Sequence, residues 1–214
     1  MSASAVNLSA LRQLLSERFP VANRPAHGVW PTGVPAVDEA AGGLPRQSLT
    51  ELVCTAPSSG GQLFIAQLLA VTRRQLARVA LIDATDNFDP QSIPDGDLQH
   101  LVWVRSRSLN EALASADLLA RESSLDLVIL DLTYGAWSAL RRVPAATWYR
   151  LQRAVEQTNL VFLALTPLRI VVSAQLRLQL TESPALARQA LSRPQLIHDF
   201  AVTLQLQRHT TRQA

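Results

Sequence analysis

Leu49-Thr50-Glu51-Leu52-Val53-Cys54-Thr55-Ala56-Pro57-Ser58-Ser59-Gly60-Gly61-Gln62 is the stretch on which the fold turns. Residues 49–53 form a short apolar run suited to a buried strand, a glycine-bearing loop follows, and Leu63, Ile65, Leu68 and Leu69 then recur at helical spacing within 62–77. The alternation repeats downstream. Residues 79–83, 101–104, 127–131 and 161–166 read as strands, while 110–123 (Leu113, Leu118, Leu119) and 145–158 (Trp148, Leu151, Val155) read as crossover helices. Continuous apolarity predicts strands buried on both faces. The order predicts an α/β fold, a mostly parallel twisted sheet covered by helices.

The length of 214 residues suits one domain with short terminal extensions, and 48% apolar against 17% charged residues excludes a disordered chain. Net charge is +3, and all 20 basic residues are arginine. Arginine suits bidentate contacts to carboxylates and phosphates, but so small an excess gives no strong field for nucleic acid. Cys54 is the only cysteine, so no intrachain disulfide or cysteine zinc cluster is available, and its expected place is the core. His27, His100, His198 and His209 are scattered without ligand spacing, so no metal site is expected. Residues 1–10 lack a basic segment followed by an apolar one, and no run approaches the roughly 18 apolar residues of a membrane span. The expected location is cytoplasmic, with no membrane contact.

The two ends read differently. Leu8, Leu11, Leu15 and Phe19 lie at helical spacing within 7–19, and Pro20, Pro25, Pro31 and Pro35 with two glycines make 20–35 a linker or wrapping arm. Toward the end of the chain Leu176, Leu178 and Leu180 alternate with polar residues, as do Val202, Leu204 and Leu206. Period two predicts half-buried strands that extend the sheet antiparallel, separated by a polar excursion over 181–199.

Pro31-Thr32-Gly33-Val34-Pro35-Ala36-Val37-Asp38, then Gly42-Gly43-Leu44-Pro45, the strand 49–53 and Pro57-Ser58-Ser59-Gly60 occur in the order that resembles the RecA recombinase family. Leu81-Ile82-Asp83-Ala84, Asp89-Pro90 and a Walker B-like strand 127–131 continue the resemblance, which covers roughly 31–180. It implies a RecA-like core over 31–180, preceded by an N-terminal helix and proline-rich arm (1–30) and followed by a C-terminal excursion and final strand (181–214).

A P-loop needs glycines so that backbone N–H groups surround phosphates, a lysine for the β and γ phosphates, and a hydroxyl for magnesium. The matching loop is Thr55, Ala56, Pro57, Ser58, Ser59, Gly60, Gly61 and Gln62. Thr55 stands at the first glycine position, Gly61 at the lysine and Gln62 at the hydroxyl, and the chain holds no lysine to replace the missing one. The glutamate that activates water in RecA-like enzymes corresponds to Thr85, which cannot act as a base. Asp86 is adjacent but expected to point elsewhere, and Asp131 stands where a Walker B carboxylate would. The expectation is a degenerate P-loop, no cofactor and a pseudo-ATPase. Residual phosphate binding through Gln62 and the following helix start is the alternative, and Asp131 is expected to hydrogen-bond the loop region.

RecA-like recombinases carry a second DNA-facing loop after a strand ending in asparagine-glutamine; here the sequence reads Thr166-Pro167-Leu168-Arg169, without room for a glycine-rich loop before Leu180. Filament-style DNA binding is therefore not expected. In place of the first loop, 134–150 carries Trp137, Arg141, Arg142, Trp148 and Tyr149. Such a set anchors a protein interface or stacks bases, unless Trp148 is core and the arginines are merely solvated.

Val29-Trp30-Pro31-Thr32-Gly33, Gly42-Gly43-Leu44-Pro45-Arg46 and Leu49-Thr50-Glu51-Leu52 look most like the ImuA family of RecA-like proteins. That resemblance implies a non-catalytic accessory protein of damage-induced (SOS) error-prone translesion DNA synthesis and mutagenesis. It would scaffold an ImuB-type polymerase-like protein, with RecA as a second candidate partner and DNA contact weak or indirect. Leu8, Leu11 and Leu15 together with Trp137, Arg141 and Arg142 are the candidate partner contacts. The alternatives are a SulA-like cell-division inhibitor and a weakly nucleotide-binding DNA recombination protein.

Overall fold

Every second residue of the apolar runs packs on the same layer of helices, and this alternation builds a three-layer core. The computed structural model describes residues 28–56, 58–181 and 190–206. In chain order they form β1 (Val29–Trp30), α1 (Pro35–Ala41), β2 (Leu44–Pro45), β3 (Leu49–Cys54), α2 (Gly61–Arg74), β4 (Val79–Asp83), the single turn α3 (Asp95–Leu98) and β5 (Leu101–Arg105). Then come α4 (Leu109–Leu119), β6 (Leu127–Asp131), the single turn α5 (Trp137–Leu140), α6 (Ala145–Glu156), β7 (Val161–Thr166), β8 (Leu176–Leu180), α7 (Arg193–His198) and β9 (Thr203–Leu206). The five strands and three crossover helices expected from 49–166 all form, within a few residues of their predicted bounds.

The main sheet runs β5-β4-β6-β7-β3-β8-β9. Leu81, Ile129, Leu163 and Leu52 pack with Phe64, Ile65, Leu68 and Leu69 of α2. Ile82, Leu130 and Phe162 pack on the other face with Ala112, Ala116 and Leu119 of α4 and with Trp148, Leu151 and Val155 of α6. Burial on both faces is why these strands show no polar alternation. Ser108 caps α4 by accepting the Glu111 N–H, and Gln152 of α6 accepts the Leu49 N–H at 3.0 Å, tying that helix to the start of β3.

The antiparallel pair expected near the end of the chain is β8 with β9. β8 itself, however, joins the sheet parallel to β3. Leu176, Leu178 and Leu180 face the α2 layer, and the intervening Arg177 reaches Glu51 on the opposite side of the sheet. Register and direction are set by that pairing as well as by the leucines.

The linker or wrapping arm expected over 20–35 is, in its described part 28–35, a packed segment. Trp30, Thr32 and Val34 are buried, β1 pairs antiparallel with β2, and Pro35 opens α1. Asp38 is the reason the segment is ordered: Oδ1 accepts the Thr32 N–H (2.8 Å) and hydroxyl (2.7 Å), and Oδ2 accepts the Gly33 N–H (2.8 Å). Gly43 completes the turn, since a Cβ there would fall 2.1 Å from the Trp30 carbonyl oxygen. The prolines mark the first turn of a helix and a packed corner, not a tether. The predicted helix with Leu8, Leu11, Leu15 and Phe19 lies outside the described residues, as do 182–189 of the excursion and 207–214.

Candidate functional site

The loop 55–61, matched by sequence to a P-loop, sits between the C-terminal end of β3 and the body of α2, and its geometry is set by contacts within the protein. The Thr55 N–H and hydroxyl both donate to the Leu180 carbonyl, each at 3.1 Å, so the loop is fastened to β8 where the motif would have had a glycine. Ser58 adopts left-handed backbone (φ 55°), and the Ser59 N–H closes a turn onto Ala56 O at 3.3 Å. Gly60 (φ 102°) lies directly under the Phe200 ring: a Cβ would approach it to 2.3 Å. Phe200 also packs on Phe64, with ring centroids 6.4 Å apart. Gly61 opens α2 against the Cys54 thiol, 3.0 Å from where its Cβ would be.

Gln62 projects across to β6. Its Nε2 donates to Asp131 Oδ2 at 2.8 Å, and the Thr133 N–H donates to Oδ1 at 2.9 Å. Asp131 is fully buried, and burial pushes its carboxyl above the ordinary aspartate range; the hydrogen bonds from Thr133 and Gln62 pull the other way, and the Asp83 charge adds to the rise. Burial and, second, the Asp131 charge push the Cys54 thiol up to about 12, so it is an inert core thiol.

The neighbouring strand end is occupied as well. Asp83, opposite Asp131 in the β4–β6 register, accepts the backbone N–H groups of Thr85 (3.2 Å), Asn87 (3.1 Å) and Phe88 (3.0 Å). Thr85, the residue matched by sequence to the base position, accepts a hydrogen bond from Asn87 at its hydroxyl. Asp86 turns outward at φ 57° and forms a bidentate pair with Arg105 (2.7 and 2.6 Å), whose hydrogen bond holds the exposed carboxyl below its usual range. Among the described residues no group of three or more His, Cys, Asp or Glu could hold a metal ion.

Above these groups lies a cleft of about 540 Å³, walled on one side by Thr55, Ser59 and Gln62 and on the other by Thr133, Tyr134, Trp137 and Pro167. Tyr134 and Trp137 are each 55% exposed. The set 134–150 is thus divided: Trp137 borders the cleft, Arg141 and Arg142 lie on the surface, and Trp148 is core, its carbonyl accepting the Ser173 hydroxyl at 3.0 Å.

Two residues that matter to the site were not singled out by sequence reasoning. Phe200 covers Gly60 from the far end of the chain. Glu51, wholly buried in β3, accepts at Oε1 from the Thr166 hydroxyl (3.0 Å) and the N–H groups of Ile170 (2.8 Å) and Val171 (3.0 Å), and at Oε2 from Arg177 Nε (2.6 Å). This one carboxylate anchors the chain after β7, where a DNA-facing loop would lie. The signal was present: Glu51 is the lone charge in an apolar strand, and Arg177 sits between two leucines. Phe200 had none, being one aromatic in a polar stretch.

Comparison with curated proteins finds RecA. The chain is 34% identical to RecA of Clavibacter michiganensis over 128 residues, 58% of this chain and 33% of that protein. It is 35% identical to RecA of Streptomyces avermitilis over 109 residues (48% and 28%) and 31% identical to RecA of Mycoplasma mobile over 108 (48% and 32%). The chain thus spans about a third of the length of the RecA proteins it matches. No protein-family model matches it. The relationship to RecA is distant, covers about half of the chain, and agrees with the parallel, helix-covered sheet. Among the described residues no helix is long and apolar enough to cross a membrane.

Proposed function

We propose that this RecA-like chain is a non-catalytic accessory protein of damage-induced, error-prone translesion DNA synthesis, a scaffold of the ImuA type for an ImuB-type polymerase-like partner. In this reading 31–180 is the platform, and the terminal segments 1–30 and 181–214 with Trp137, Arg141 and Arg142 supply contacts.

The observation that carries the pseudo-ATPase part is the Gln62–Asp131 hydrogen bond at 2.8 Å. Where a P-loop enzyme sets a hydroxyl and a carboxylate about a metal ion, this protein sets an amide against a carboxyl, and the two satisfy each other. Phosphoryl transfer depends on cations around the transferring group, so the absence of any lysine removes stabilisation of several kcal/mol, on the order of 3 to 4 by analogy with loss of a single electrostatic contact. Thr85 supplies no base, the adjacent Asp86 is bound to Arg105, and Asp83 is taken up by three backbone N–H groups. The lock on 166–171 through Glu51 supports the same reading, because a loop tied to the sheet interior does not couple nucleotide state to DNA.

Mg-ATP titration by calorimetry, with a phosphate-release assay on the same protein, tests the first part: no micromolar binding and no turnover is the expected result. Turnover that disappears in Asp131→Ala would overturn it. Co-purification with an ImuB-type polymerase-like protein tests the scaffold, and a preparation that alters assembly of a tubulin-like division protein instead would favour the division-inhibitor alternative.

A further inference from the structure

Beside the loop cleft, a second hollow of about 710 Å³ runs between α4 and the α5–α6 segment. Its floor is aliphatic: Leu109 and Leu113 from α4, with Ala139, Val143 and Pro144 from the facing segment. The core takes Ala112, Ala116 and Leu119 of α4 as its buried stripe, and Leu109 and Leu113, one turn apart on the flank, pack against that core with one side and stay half-buried, lining the hollow with the rest. A smaller cavity of about 230 Å³ shares Leu109 and Ala139 with this groove and Gly135 and Ala136 with the loop cleft, so the apolar track continues toward Trp137.

The charges on the groove have one sign. Arg142 and Arg150 line it and no carboxylate does. Arg142 makes no ion pair among the described residues, and Arg150 shares the single carboxylate of Asp117 (3.0 Å) with Arg121 (3.1 Å). Two guanidiniums therefore divide one acid, and a third has none. The groove offers leucine-sized apolar contact and no aromatic residue lines it; of the exposed aromatics Tyr134 and Trp137 line the other cleft, and Tyr149 lies on α6 outside both linings. With a net charge of only +3, phosphate attraction is weak.

We infer that this groove seats an acidic amphipathic helix of a protein partner, its leucine-type face on Leu109, Leu113 and Val143 and its carboxylates on Arg142 and Arg150. The inference rests on the scaffold reading above and gives that scaffold a surface and a partner chemistry. Helix-in-groove recognition of this kind uses apolar anchors at i, i+3, i+4 and i+7, with charge fixing the register.

The test uses the full chain and three fluorescent probes in anisotropy titrations: a designed helical peptide of about 18 residues with leucines at those spacings and flanking glutamates, the same peptide with lysines in place of the glutamates, and an oligothymidylate. The acidic peptide is expected to bind on the order of 10 µM, the lysine peptide at least about tenfold more weakly, and the oligonucleotide not to compete. Two exposed groove positions are altered so that the fold is spared. Ala114→Glu and Arg142→Glu are each expected to weaken the acidic peptide by about fivefold or more, with unchanged circular dichroism. No binding of the acidic peptide, binding indifferent to both substitutions, or an oligonucleotide that displaces the peptide overturns the inference. Mg-ATP turnover measured on the same preparations keeps the outcomes apart: a nucleotide-inert protein without peptide binding loses the groove alone, whereas turnover sinks the scaffold reading itself.

Discussion

Asp131 and Glu51 are both fully buried carboxylates on parallel strands of one sheet, and they are kept in opposite ways. Glu51 has a guanidinium at 2.6 Å and three further donors, and holds together the segments around Thr166, Ile170, Val171 and Arg177. Asp131 has an amide and one backbone N–H, no cation, and a carboxyl raised by burial. The first is structural, since a buried charge survives when a counter-charge and hydrogen bonds surround it. The second sits beside an open cleft with less support than a buried charge needs.

The largest expected effect follows from breaking the first arrangement. Glu51→Ala leaves Arg177, whose side chain is 11% exposed, without its counter-charge and strands three donors. A loss of about 3–5 kcal/mol is expected, seen as a fall of roughly 10 °C in the circular dichroism melting temperature. Faster hydrogen exchange at 167–171 should accompany it. A melting temperature within a degree or two of the parent would mean that Glu51 is not the anchor.

A smaller effect is expected at the second carboxylate. Gln62→Ala removes one donor to a buried acid and should cost about 1 kcal/mol, while Asp131→Asn, with the Gln62 amide free to turn its oxygen toward the new donor, should stay within about 1 kcal/mol of the parent at neutral pH. In a double-mutant cycle the two positions should couple by about 0.5–1.5 kcal/mol. Urea denaturation of the four proteins measures all of this, and a coupling of zero would remove the hydrogen bond from the argument.

The smallest effect is a pH trend. Burial raises the Asp131 carboxyl above its unfolded value, so the folded protein holds that proton more tightly. The stabilisation this provides is complete below the ordinary aspartate range and is lost as pH rises through the raised value, where the carboxyl must ionise in a site that disfavours its charge. The parent should therefore gain stability relative to Asp131→Asn as pH falls through that window. An unchanging difference from neutral pH to the acid range would show that Asp131 titrates as in the unfolded chain.

The elements around the cleft could be read from the residues, and the loop 55–62 was singled out by its departures from a P-loop. Thr55, Gly61, Gln62 and Thr85 were identifiable because P-loop chemistry prescribes a residue type at each position, and a mismatch shows without coordinates. The entry segment stayed open between linker and wrapping arm because proline and glycine mark both tethers and tight packed corners. What separates the two is whether Asp38 reaches back to Thr32 and Gly33, a contact between residues five and six apart that composition does not reveal. β8 was assigned as a strand on its period of two, but its direction depends on its neighbour: leucines at 176, 178 and 180 face one layer whether the strand runs up or down.

By itself the sequence settled the α/β class, the strand and helix order and the absence of any lysine, since these follow from periodicity and residue type, which are local. Only the tertiary structure decided that Gln62 answers Asp131 across 69 positions, that Glu51 ties down 166–177, that Phe200 covers Gly60, and that α4 and α6 leave an apolar groove rimmed by arginine. Each of these joins side chains distant along the chain, and the free energy of such a contact exists only once the sheet has brought them within bonding distance.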